Sequence, residues 1–157
     1  MRIALLSSEA VPFAKTGGLA DVAGALPKAL SDQGVDARLF LPLFDQIDRT
    51  SLKGKPIENI PVEWRGQVRT IRAWESDAAG APTYLIEAPE FFARPAVYGY
   101  SDDHIRFAFF SRAALSLIKH LGWKPDLVHG NDWPTGFAII ELRARRRYDQ
   151  FFKDVKS

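Results

Sequence analysis

The 157-residue sequence contains no cysteine and a single methionine. Without cysteine there is no disulfide framework and no thiolate chemistry; such a chain suits the cytoplasm, where it is expected to work. Neither sign of charge is in excess. The 21 Lys and Arg against 19 Asp and Glu leave +2, too little to imply a nucleic-acid partner. Long hydrophobic runs are missing as well. Ile3 to Leu6 is too short for the apolar core of a signal peptide. The stretch from Ala108 to Ile118 is broken by Ser111 and Arg112, so no membrane span is expected. Two nucleotide-binding fingerprints are also missing. Gly17 and Gly18 are adjacent and the next glycine is Gly24, which excludes Gly-x-Gly-x-x-Gly; both follow Lys15-Thr16 rather than precede it, which excludes a P-loop. What is present is ordinary: 46% hydrophobic residues, a length that fits one domain, and no internal repeat or linker.

Arg2 to Ser7 is an apolar run without helical period and reads as a strand buried on both faces. Leu19, Val22, Ala23, Leu26, Ala29 and Leu30 then form a helical stripe, with Pro27 inside it expected to kink the helix near Ala23. Gly34 ends that helix, and Asp36 to Leu43 is a second strand. Asp45 to Pro56 is polar and reads as a loop. Ile60–Trp64 and Val68–Trp74 flank Arg65-Gly66-Gln67 and read as a hairpin, followed by a strand over Thr83–Glu87. A helix capped by Asp102 or Asp103 runs to about Leu121 with Ile105, Phe109, Ala113, Leu117 and Ile118 inward; Phe107 and Phe110 also read as core. Asp126–Gly130 is a strand and Trp133–Arg146 a helix, whose Arg143, Arg145, Arg146 and Arg147 read as a solvated end. The alternation predicts a three-layer α/β domain: a Rossmann-like, open, mostly parallel sheet with an inserted β-hairpin.

Three clusters carry potential chemistry. Lys15-Thr16-Gly17-Gly18 joins the first strand to the first helix, at the sheet edge where ligands bind in such folds. A cation, close backbone approach and free helix-start amides suit a phosphorylated or sugar ligand; a solvated lysine beside a glycine turn is the plain alternative. Glu9 follows the strand directly, and Asp21 lies in the first helical turn, where the dipole alone favours an acid. Tyr98, in Arg94-Pro95-Ala96-Val97-Tyr98-Gly99-Tyr100, offers a ring and a hydroxyl to a sugar. Asp102-Asp103 reads as a helix cap and not as metal ligands. In Pro125-Asp126-Leu127-Val128-His129-Gly130-Asn131-Asp132-Trp133-Pro134-Thr135-Gly136, His129 reads first as a hydrogen-bonded core histidine. Asp132 reads either as a cap or, with Trp133, as a ligand contact.

The run from Lys15 through Val22, continuing in Gly24-Ala25-Leu26-Pro27, resembles the amino-terminal signature of bacterial glycogen synthases and plant starch synthases. The Arg94–Tyr100 and Pro125–Gly136 segments are similar to two further motifs of that family, in the same order, with Pro134 standing where glutamine or histidine is usual. The resemblance implies the amino-terminal, Rossmann-like half of a GT-B glycosyltransferase that moves glucose from ADP-glucose to the end of an α-1,4-glucan with retention. It implies that Lys15, Thr16, Gly17 and Gly18 line the nucleotide-sugar side. Glu9, Asp21, Tyr98, His129, Asp132 and Trp133 would line the acceptor side, with no metal or other cofactor. It further implies that residues 1–157 are one domain cut before its last strands, with the donor-holding domain and the main catalytic groups beyond Ser157, so that the isolated chain is inactive. The strand ending at His129 would then have a bare edge, open to self-association, or the segment after about Asn131 would be mobile. A non-catalytic module binding glucan or sugar phosphate is the alternative.

Overall fold

The computed structural model describes residues 1–157. Its elements run β1 (Arg2–Leu6), α1 (Gly18–Ser31), β2 (Asp36–Pro42), β3 (Lys53–Trp64), β4 (Gln67–Ser76), β5 (Thr83–Glu87), α2 (Pro89–Phe92), α3 (Asp103–His120), β6 (Leu127–Gly130) and α4 (Gly136–Arg145). One six-stranded sheet takes the order β3-β4-β5-β2-β1-β6. β5, β2, β1 and β6 are parallel, and the β3–β4 hairpin adds to β5 antiparallel. This is the mixed, mostly parallel α/β sheet that the alternation of elements implies. Right-handed crossovers that leave β1 in one direction and return to β6 in the other put α1 and α3 on opposite faces. Ala4, Leu5 and Leu6 of β1 and Leu39, Phe40 and Leu41 of β2 are buried at consecutive positions because both faces are covered. On the side of α3, Phe91 stacks on Phe109 at 4.0 Å and Trp64 meets Phe109 edge-on at 5.3 Å. These contacts fasten the hairpin to the helix.

α1 departs from its expected stripe. Val22 is 57% exposed and Ala29 is also exposed, while Ala20, Ala23, Gly24 and Pro27 face inward. The reason is proximity: a Cβ on Gly24 would lie 2.5 Å from the Val11 carbonyl oxygen, so only small residues let the helix pack this closely. Pro27 sits in that buried face, and α1 continues through it to Ser31. The segment read as a loop to Pro56 becomes strand at Lys53, after a 3₁₀ turn at Arg49–Ser51. Neither aspartate caps α3 with its side chain. Arg94 takes the Asp102 carboxylate at 2.6 and 2.8 Å, and Asp103 accepts the Gly99 and Tyr100 amides. The last helix opens as a 3₁₀ turn over Trp133–Thr135 before α4.

Both outer edges of the sheet are managed. β3 carries Pro56, Pro61, four charged side chains and register shifts, all of which discourage further pairing. The outer edge of β6 is not bare: Val128 N donates to Lys156 O at 2.8 Å and Lys156 N to Asp126 O at 2.9 Å, a parallel bridge. The residues after Asn131 are therefore tied down, because the tail buries Phe152 and Val155 completely. Arg145, expected in the solvated run, is buried too. It bonds Glu141 at 2.9 Å and Ser116 at 3.1 Å, with its Cζ 5.6 Å from the Phe152 ring.

Candidate functional site

β1 has β2 on one side and β6 on the other; the chain runs from β1 out to β2 and later crosses back from β5 to β6, so the direction of winding reverses at β1. The crevice at the carboxyl ends of such a pair is where open α/β sheets bind ligands. Leu6 and Gly130 stand level at those ends. Glu9 and the Lys15–Gly18 turn follow β1, Asn131–Trp133 follow β6, and the loop before α3 brings Tyr98 alongside.

Glu9 lies at the centre, and it is not a surface acid. It is 3% exposed. One carboxylate oxygen accepts the Thr16 amide, the Thr16 hydroxyl at 2.9 Å and the Gly17 amide at 3.2 Å, and the other accepts the Tyr98 hydroxyl at 3.3 Å. Glu9 therefore shapes the glycine turn from below. Lys15 is not a free cation: its Nζ spans both oxygens of Asp21 at 2.6 and 2.7 Å, on an exposed rim. The lysine assigned to the donor side and the aspartate assigned to the acceptor side thus hold each other. Gly17 is extended, with φ −153, and a Cβ on Gly17 or Gly18 would meet nothing within 4 Å. Neither backbone conformation nor packing calls for glycine at 17. The α1 N-terminus has no side-chain cap.

Tyr98 is half-buried. Its hydroxyl accepts from Ser8 at 2.6 Å, and its ring packs on Phe107 and Trp133 at centroid distances of 5.7 and 5.9 Å. Burial pushes the phenol above its ordinary pKa, the Ser8 hydrogen bond pulls it down by less, and the Glu9 carboxylate raises it again, so it is a neutral donor at neutral pH. Trp133 stands 51% exposed beside it, its ring edge-on to Phe107 at 5.3 Å.

Asp132 has φ 63 and ψ −179, a conformation open essentially to glycine alone. Its surroundings hold it there. Asn131 bonds the Leu6 carbonyl through both its amide and its side chain, at 3.0 and 2.9 Å. The Asp132 carboxylate accepts the Trp133 amide at 2.6 Å and its carbonyl accepts the Thr135 hydroxyl at 3.1 Å. Thr135 in turn packs on Gly130, where a Cβ would lie 2.9 Å from its Oγ1. Asp132→Gly should therefore stabilise the chain by up to about 1 kcal/mol, since it releases strain worth about 1–3 kcal/mol for a weaker cap. Asp132→Ala, which keeps the strain and loses the cap, should destabilise by about 1 kcal/mol. Paired urea titrations read the difference. His129 is not a hydrogen-bonded core histidine: it is exposed and has no side-chain hydrogen bond in the fold, because it lies on the edge strand and alternates with buried Val128.

Ser8 and Asn131 were not singled out by sequence reasoning. Their signal lay only in their place next to the last residues of β1 and β6. A groove of ≈ 500 Å³ lies elsewhere, between the hairpin, α3 and α4. Most of its charges are paired: Arg112 and Arg145 both bond Glu141, and Lys119 bonds Asp149. Burial pushes Glu141 up, but the two arginines outweigh it and hold its carboxyl below the usual range. The groove thus presents closed ion pairs, whereas the crevice gathers the strained backbone, the open glycine turn and two aromatic rings. No cluster of three His, Asp or Glu side chains could hold a metal ion, and no helix is long and apolar enough to cross a membrane.

Residues 2–157 match the family described as the starch synthase catalytic domain. The chain belongs to that family. Among curated relatives, the glycogen synthase of Clostridium botulinum (strain Alaska E43 / Type E3) is 44% identical over 161 residues, which cover 100% of this chain and 33% of the relative. That of Clostridium beijerinckii is 42% identical over 99% of this chain and 33% of its own length. The solved catalytic domain of Starch Synthase IV from Arabidopsis thaliana, bound to ADP and acarbose, superposes with a TM-score of 0.84. It is 31% identical and covers 98% of this chain and 31% of that one. This starch synthase domain chain therefore spans about a third of the length of the relatives it matches.

Proposed function

We propose that the β1–β6 crevice is one wall of a glucosyltransferase site, and that the protein to which this wall belongs extends an α-1,4-glucan from ADP-glucose with retained configuration. Convergence carries the reading: Lys15–Gly18, Tyr98 and Asp132–Trp133, far apart in sequence, meet at the switch point of a starch synthase fold. Glucosyl transfer breaks the bond from sugar C1 to the diphosphate and forms one from C1 to an acceptor hydroxyl, whose proton is released. ADP leaves with the electron pair, so negative charge builds on its phosphate. Lys15, released from Asp21, and the uncapped amides of α1 are placed to meet that charge. A side chain at position 17 would stand in the approach. Trp133 and Tyr98 offer flat faces to the glucan, and Asp132 an exposed carboxylate. The Arabidopsis relative is bound to ADP, which supports an adenine-nucleotide donor, and to acarbose, which is consistent with a glucan partner. Residues 1–157 are read as a single domain.

A single wall neither surrounds the diphosphate with cations nor excludes water from the reacting sugar. The 157-residue chain alone, incubated with radiolabelled ADP-glucose and glycogen, should therefore incorporate no label above a protein-free control. Robust transfer by pure chain would overturn the division of labour and place the whole donor site within these residues.

A further inference from the structure

Arg106 has no solvent exposure and is the largest side chain in the fully buried set. A charge in the interior is costly unless it is paired and bonded. An apolar residue would suit this part of α3 on packing grounds, since Phe107, Phe109 and Phe110 are its neighbours and are equally buried. The partners of the guanidinium show what the charge is kept for. Nε donates to the Phe91 carbonyl at 2.7 Å, and Nη1 donates to the Val97 carbonyl at 3.2 Å and to the Asp103 carboxylate. The other oxygen of Asp103 accepts the Gly99 amide at 2.8 Å and the Tyr100 amide at 3.2 Å. The Tyr100 ring lies 4.8 Å from the Cζ atoms of both Arg106 and Arg94, and its hydroxyl accepts the Ala96 amide at 3.0 Å. Every one of these bonds ties down the segment from Phe91 to Asp103, and none joins α3 to the sheet. Tyr98 stands in the middle of that segment.

We propose that Arg106 is a positioning residue of the crevice, fixing the 91–103 segment so that Tyr98 stands between Glu9 and Trp133. The functional consequence rests on the glucan-facing reading above; the structural one does not. The test uses the 157-residue chain with Arg106→Lys, which keeps the charge but loses the fork of donors, together with Tyr98→Phe and the double variant. Amide hydrogen exchange is read residue by residue, and binding is read with maltoheptaose. Arg106→Lys should speed exchange at Gly99 and Tyr100 at least tenfold and leave Thr16 and the β1 amides unchanged. Each single variant should weaken maltoheptaose binding about tenfold, and the double variant by about the same factor, because the arginine acts through the tyrosine. Independent losses that multiply to about a hundredfold, or unchanged exchange at Gly99 and Tyr100, would overturn the proposal. If the unaltered chain binds no maltoheptaose, the glucan-facing reading falls, and the exchange result alone decides the role of Arg106. Should Arg106→Lys fail to fold, Asp103→Asn, which removes the same link from the other side, carries the same expectations.

Discussion

Phe152→Ala should lower the unfolding free energy by about 3–5 kcal/mol, the usual cost of truncating a fully buried phenylalanine. Against a total of roughly 5–15 kcal/mol for a domain, the loss is severe. Phe152 is wholly buried, stacks edge-on with Phe151 at 4.9 Å and lies under the Arg145 guanidinium. It is also the anchor that carries the tail to β6, where Lys156 supplies the two bonds along the strand's outer edge. Loosening the tail should uncover that edge and the apolar surface beside it. Urea unfolding should give the free-energy loss, and light scattering should show the variant self-associating at concentrations where the parent does not. A variant of unchanged stability would mean that the tail is an ornament on the sheet.

Glu9→Ala should cost about 3 kcal/mol, because its carboxylate accepts two amides and a hydroxyl on one oxygen, and charge-assisted bonds are worth about 1.5–3 kcal/mol each before water repays part of the loss. Its second effect is local. With the acceptor gone, the Thr16 and Gly17 amides should exchange with solvent at least tenfold faster relative to those of β1. Glu9→Gln keeps the shape but offers only one accepting atom, so it should fall between the parent and the alanine variant in thermal unfolding. A Glu9→Ala chain with parental stability and unchanged exchange at Thr16 would return Glu9 to the role of a ligand contact.

The sequence made the sheet legible because its strands announce themselves by unbroken apolar runs. Leu5, Leu39 and Leu85 belong to such runs, and β5 falls on Thr83–Glu87 as read. That Lys15–Gly18 and Asn131–Trp133 come to one edge of the sheet was legible too, since the turns that follow parallel strands share that edge. Side-chain partnerships were less so. Val22 fits a helical stripe by spacing, but spacing cannot show that Val11 comes so close that the helix must turn its small residues inward. Glu9 and Tyr98 are far apart in the chain, and only the fold makes one the acceptor of the other. Lys15 and Asp21 are six residues apart across a turn whose geometry is not written in composition. The tail was unreadable for a similar reason: Phe151, Phe152 and Val155 form too short a run to signal a strand, yet they fill the space beside β6. Arg106 did leave a trace, since it falls between apolar positions of α3 and seven residues before Ala113, on a face that the helical period puts inside.

If the β1–β6 crevice faces a glucan, backbone amide shifts of the chain titrated with maltoheptaose will show it most directly. Perturbations should gather at Tyr98, Gly99 and Asn131–Trp133, fade along α1, and be absent from Lys119, Glu141 and Arg145. Shifts confined to those last three residues, in the groove between α3 and α4, or no shifts at saturating sugar, would contradict it.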